Sequence, residues 1–219
     1  MTDDLSARIR EGLRQVADPQ RGPAQQAYMK SVMPFLGVRV PDARGVAKRE
    51  AAGMDAATLR SASLELWNEA AFREERYAAM ALLGMRALRG DESLIPIVEH
   101  MVRTGRWWDI TDELAHRLAD LHDARPTETA ALVRRWACDD DLWIRRVAIL
   151  SQLGRRGHVD PVVLAETIGP NLGDSEFFIR KAIGWALREY ARVAPDWVRM
   201  YADEHALSPL SRREALKHL

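Results

Sequence analysis

The chain has 219 residues, 47% hydrophobic and 29% charged, which suffices for one substantial core or for a run of small repeats. Its 32 basic and 32 acidic residues cancel, which weighs mildly against a nucleic-acid binder, and its single cysteine, Cys138, excludes an internal disulfide and a cysteine metal cage. The apolar runs are too short to span a bilayer and the acidic start "MTDDLSARIREGL" is wrong for a secretion signal, so a soluble cytoplasmic protein is expected.

Helix-type spacing of apolar residues dominates, with no alternating strand pattern. Residues 1–50 read as an irregular helical cap containing the loop "MPFLGVRVPDAR", where Pro34 and Pro41 flank a glycine. From there to residue 219 a period emerges. "AFREERYAAMALLG" starts at 71, "RWWDITDELAHRLA" at 106, "DLWIRRVAILSQLG" at 141 and "EFFIRKAIGWALRE" at 176, each start 35 residues after the last. Large apolar residues open the units at Phe72, Trp107, Leu142 and Phe177. A unit of this length holds two helices and a turn, and it needs neighbours to bury its faces. The expected fold is all-α: a single domain over 1–219, an α-solenoid of HEAT-like (ARM-type) repeats with a concave groove and about a dozen helices. The end, "SPLSRREALKHL", fits a last helix with Ser208 as N-cap and Pro209 in its first turn.

The informative residues break the amphipathic pattern. Neighbours on a helix point about 100° apart, so Trp107 and Trp108 cannot both face one core. Trp107, Thr111, Leu114 and Leu118 define the buried side, leaving Trp108 and Asp112 together on the shoulder, with Asp109 and Glu113 further into solvent. In a helix over 142–154, Trp143, Ile144, Val147, Leu150 and Leu153 form an apolar arc, and Arg145 and Gln152 lie opposite it. Arg146 projects between Leu150 and Leu153, which also suits a snorkelling arginine at the core edge. In the helix from 177, Phe178, Ile179, Ala182, Ile183, Ala186, Leu187 and Tyr190 face inward. Lys181, Trp185, Arg188 and Arg192 make a separate stripe at i, i+4, i+7 and i+11. An indole among cations suits a polyanion with planar rings or sugars, although a tryptophan packed on a neighbouring repeat fits the same spacing. Basic pairs such as Arg134/Arg135 and Arg155/Arg156 can build a local positive groove despite the neutral total.

Other chemistries find no support. There is no phosphate-cradling glycine loop, no metal-ligand spacing among the six histidines and no serine nucleophile elbow, so no cofactor or metal is expected. Cys138 reads as a small buried thiol.

"AYMKSVMPFLGVRVPDAR", "WWDITD", "LWIRRVAILSQL", "FFIRKAIGWALREYA" and "LSPLSRREALKHL", in this order, resemble the DNA alkylation repair enzymes of the AlkD family, HEAT-like repeat DNA glycosylases. The resemblance runs from about residue 26 to the end. It implies base excision repair: removal of cationic N3- and N7-alkylated purines, such as 3-methyladenine and 7-methylguanine, from duplex DNA. The family's catalytic trio falls on Trp108, Asp112 and Arg146, with Arg146 holding a phosphate. Its DNA-contacting aromatics fall on Tyr28 and Trp185, an arginine on Arg188, and a basic contact on the stretch with Arg155 and Arg156. Lys181 and Arg192 extend the same surface. The resemblance further implies a lesion held exposed rather than flipped into a tight pocket, and poor activity on uracil or neutral adducts such as ethenoadenine. A monomer acting on DNA is expected, nucleoid-associated if bacterial. Two other readings remain open at this point: a non-catalytic binder of distorted DNA, and a helical-repeat scaffold for another protein.

Overall fold

A computed structural model describes residues 4–219. Among these residues the chain forms thirteen α-helices and no strand. They fall into two compact units, one ending at Ile97 and the other running from Val98 to Leu219.

The first unit holds α1 (Leu5–Gln15), α2 (Gly22–Met29), α3 (Val40–Glu50), α4 (Ala56–Asn68) and α5 (Arg73–Leu83). Asp4 and Asp55 cap α1 and α4 by accepting from the amides of Ala7 and Thr58. α5 is the hub: it packs against α1, α3 and α4, and nearly all of its residues are buried. The loop between α2 and α3 is shorter than the sequence suggests, because Pro41 sits in the first turn of α3 instead of in the loop. That loop is held by a carboxylate. Glu74, fully buried, accepts from the amides of Leu36, Gly37 and Val38 at 3.0, 2.9 and 3.0 Å. Gly37 is irreplaceable there, with φ +86° and an added Cβ only 1.9 Å from the Asp18 carbonyl oxygen.

α6 (Leu94–Gly105) runs across the boundary between the units. The second unit continues with α7 (Trp108–Ala124), α8 (Pro126–Trp136), α9 (Leu142–Ile149), α10 (Pro161–Ile168), α11 (Phe177–Ala191), α12 (Pro195–Glu204) and α13 (Pro209–Ala215). Alternate helices pack on one another. α7, α9, α11 and α13 form one row, while α8 packs on α7, α9 and α10 behind it. The helix starts at Arg73, Trp108, Leu142 and Phe177 follow one another at 35, 34 and 35 residues, close to the spacing in the sequence. Proline in the first turn opens α8, α10, α12 and α13, where its missing N–H costs nothing. As expected, Ser208 caps α13, accepting from the Ser211 amide at 3.1 Å.

Several sequence expectations need correction here. α9 stops at Ile149, so Gln152 is not on a solvent face. It is buried, and its amide bonds the Asp160 backbone in both directions, at 2.9 and 2.8 Å. Arg145 is tied to Asp174 at 2.9 Å and to the carbonyls of Asp139 and Asp140. Cys138 is exposed, because it lies beyond the end of α8.

His122 on α7 is buried and lies 3.3 Å from the Ser151 hydroxyl. Burial, helped by the Arg155 charge, pushes its pKa from 6.5 down to about 4. The folded state therefore favours the neutral ring, and this contribution is complete above pH 6.5 and lost as pH falls to about 4. The loss over that window is expected to be about 3 kcal/mol. Urea midpoints measured from pH 7 to pH 4 should show it, and His122→Gln should flatten that part of the profile.

Candidate active site

Trp107 and Trp108 separate for a reason that helical geometry alone did not give. α7 begins at Trp108, and Trp107 precedes it as an extended N-cap residue with φ −151° and ψ 154°. The backbone change turns the Trp107 ring inward, where it packs on Trp143 and Phe178 at centroid distances of 5.9 and 5.5 Å. Trp108 is left to line a cleft of about 270 Å³ in the second unit.

The row of helices supplies the cleft one element at a time. α7 gives Trp108 and Asp112, α9 gives Arg146, α11 gives Phe177, Phe178, Lys181, Trp185 and Arg188, and α13 gives Glu214. Asp112, Arg146 and Lys181 are each the fifth residue of their helix. The three helices pack side by side, and from this common position three polar side chains with unrelated chemistry line one cleft.

Asp112 and Arg146 form a nearly enclosed ion pair, with side chains 16% and 5% exposed. Arg146 Nε and Nη2 donate to the two carboxylate oxygens of Asp112 at 2.8 and 2.9 Å. Its Nη1 donates to the Phe178 carbonyl, and its guanidinium carbon lies 5.9 Å from the Phe178 ring centre. Burial raises the Asp112 pKa above the ordinary carboxylate value, and the Asp109 charge adds to this. Arg146 opposes the shift through its charge and its hydrogen bonds. The result is a carboxylate poorly hydrated but held in a fixed plane, beside an indole, at the wall of an open cleft.

At the other end Glu214 accepts from Lys181 Nζ at 2.9 Å and Arg188 Nη1 at 2.6 Å. These hydrogen bonds, that of Lys181 first, keep its carboxyl below the ordinary carboxylate value. Sequence reasoning missed Glu214 because "SRREALKHL" reads only as a last helix.

The remaining expected site residues lie elsewhere. Arg192 does not line this cleft: it is the C-cap residue of α11 and pairs with Glu189 at 3.4 Å. Arg192 and Arg156 line a second cavity, of about 420 Å³, together with Gln152 and Tyr190. Arg155 is largely enclosed, its Nε donating to Asp123 at 2.9 Å and its Nη1 to Gln152 at 2.7 Å. Tyr28 belongs to the first unit, near the end of α2, and is 76% exposed. Among the described residues no group of three His, Cys, Asp or Glu could hold a metal ion, and no helix is long and apolar enough to cross a membrane.

The thirteen helices make an all-α protein, and its likeness to solved structures gives it the AlkD-like fold. Among solved structures, a predicted DNA alkylation repair enzyme from Enterococcus faecalis superposes with a TM-score of 0.78 at 27% identity, covering 93% of this chain and 96% of that one. AlkD2 from Streptococcus mutans matches with a TM-score of 0.67 at 16% identity over 96% of this chain and 99% of its own. The protein smu.31 from Streptococcus mutans UA159 matches at 0.63 and 18%, over 82% and 92%. At these identities the two streptococcal structures share the fold. No curated protein matches the sequence. A family model described as DNA alkylation repair enzyme matches residues 9–219, and the chain belongs to that family.

Proposed function

We propose that the protein is a DNA glycosylase that hydrolyses the N-glycosidic bond of N3- and N7-alkylated purines in duplex DNA. The observation that carries this reading is the Asp112 carboxylate, clamped by Arg146 and presented beside Trp108 to the cleft. Family membership supplies DNA as the substrate.

Glycoside hydrolysis ordinarily needs one acid for the leaving group and a second carboxylate on the opposite side of the bond. A purine alkylated at N3 or N7 is already cationic. When the bond to C1′ breaks, its electron pair neutralises the ring, and the base leaves without a proton. One carboxylate then suffices. Asp112 stabilises the positive charge growing on the sugar and takes the proton of the water that adds at C1′. Trp108 and Trp185 offer aromatic faces that favour that charge. Lys181 and Arg188 take backbone phosphates. Arg146 holds Asp112 ionised against the burial that favours protonation. Of its five N–H bonds three are engaged, so a phosphate reaches it only through the others.

In this reading α7 to α13 are HEAT-like repeats, and the row α7, α9, α11, α13 is the wall of a DNA-binding groove. Exposed Tyr28 and the arginines of the larger cavity, Arg156 and Arg192, are further backbone contacts, with Arg155 anchoring their turn. The cleft is open and lacks a tight enclosure for a base, which supports a lesion handled from the backbone side rather than by flipping. The chain then acts as a monomer, in the cytoplasm or on the nucleoid.

Discrimination rests on the lability of the charged base. Single-turnover assays should therefore release N7-methylguanine from a duplex and leave uracil and ethenoadenine at the uncatalysed rate. Efficient excision of either neutral base would overturn the mechanism. Background release of N7-methylguanine would leave a DNA-binding protein without glycosylase activity.

A further inference from the structure

Lys181 and Arg188 stand two turns apart on α11, facing the cleft, and neither is free for an incoming anion. Glu214 joins them, one carboxylate oxygen to each. Its side chain is 12% exposed, against 40% and 20% for its partners, so this is a half-enclosed bridge rather than a surface pair.

The bridge is also built in. α13 lies so close to α11 that a Cβ added at Gly184 would come within 2.5 Å of the Glu214 Cβ and 2.9 Å of the Ser211 carbonyl oxygen. The Ser211 hydroxyl donates to the Arg180 carbonyl at 2.9 Å, which fixes the start of α13 on α11. With its backbone pinned in this way, Glu214 leaves its partners only by rotating its side chain.

A phosphodiester presents the same features as this carboxylate: one negative charge shared by two oxygens, able to accept from two cations at once. We infer that Glu214 is a positioning residue that occupies the place of a DNA phosphate on Lys181 and Arg188, and that a bound backbone must displace it. The inference rests on the reading of the cleft as a DNA site. Glu214 holds the two cations in the geometry of an anion-bound state before DNA arrives. It also weakens the final grip, because forming the phosphate contact breaks two existing ion pairs. The local charge available to DNA is +1 with Glu214 ionised and +2 without it.

The test is Glu214→Gln, which keeps the side chain's size and removes its charge. Binding of a short duplex, undamaged or carrying one N7-methylguanine, is measured across a range of salt. Affinity at low salt should rise on the order of tenfold. The slope of log affinity against log salt should steepen by about 0.9, the signature of one additional neutralised phosphate. Adding Lys181→Met to Glu214→Gln should abolish most of the gain.

A merely structural tie predicts the reverse, since loosening α13 lowers affinity and leaves the slope where it was. Unchanged or weaker binding with an unchanged slope, or a gain that survives in the double variant, would overturn the inference. Failure of the wild-type protein to bind either duplex at any salt would remove the DNA reading of the cleft, and this inference with it. That outcome is recognised from the wild type alone.

Discussion

Asp112→Asn should slow single-turnover release of N7-methylguanine by about a hundredfold to a thousandfold, the range for removing one preorganised group that stabilises transition-state charge. Duplex binding should remain within a few-fold of wild type, because Lys181, Trp185 and Arg188 do not depend on Asp112. Asparagine keeps the shape and can still accept from Arg146, but it can neither balance an oxocarbenium charge nor take a proton from water. The pH profile provides a second reading of the same group. Under the proposed mechanism the working form is the ionised carboxylate, so release should rise with pH through the Asp112 pKa, at an acid limb displaced upward from the ordinary carboxylate value. Arg146 opposes that displacement, so Arg146→Met should move the limb further up. An acid limb absent from the wild type, or one unmoved in Arg146→Met, would mean that some other group controls the rate.

Glu74→Ala should lower stability by roughly 3–5 kcal/mol, a large share of the 5–15 kcal/mol typical of a folded domain. Three backbone amides, those of Leu36, Gly37 and Val38, converge on this carboxylate. Truncation leaves them with no acceptor where water has poor access, and each unsatisfied buried donor costs about 1–3 kcal/mol. The effect extends beyond the loop. Arg21 and Gln25 on and beside α2 donate to the carbonyls of Gly37 and Val38 at 2.8 and 3.1 Å, so the loop in turn steadies the helix that carries Tyr28. Urea unfolding midpoints would measure the loss. Glu74→Gln keeps one acceptor and should fall between the wild type and Glu74→Ala. A loss below about 1 kcal/mol in Glu74→Ala would mean that the loop holds itself.

Periodicity made some of this legible. The 35-residue spacing located the helix starts from Arg73 to Phe177, because the interval between buried faces is a property of the chain itself. The same pattern singled out Trp108, Asp112 and Arg146 as side chains off their cores. What it could not supply was partners. Arg146 reads as a free or snorkelling cation until Asp112, 34 residues away, is seen to take two of its donors. Arg155 looks like a phosphate contact until Asp123 and Gln152 enclose it. Helix ends were the other blind spot. Gln152 lies past the point where α9 stops and its face ceases to have meaning, and Cys138, expected inside only because free thiols are commonly buried, follows the end of α8 into solvent. Glu74 was hidden for a related reason: its three partners lie in a loop, where no period operates.

The common register of Asp112, Arg146 and Lys181 bears on how such a protein changes over evolutionary time. Each occupies the fifth position of its helix, but they are not equally replaceable: Arg146 is buried and clamped to Asp112, so a new side chain at either disturbs the other, whereas Lys181 stands 40% exposed. An acid, a guanidinium and an amine stand at the same position of three helices packed in one row. A lineage changing the chemistry of this row must therefore alter the acid and the guanidinium together, while the amine can be exchanged on its own.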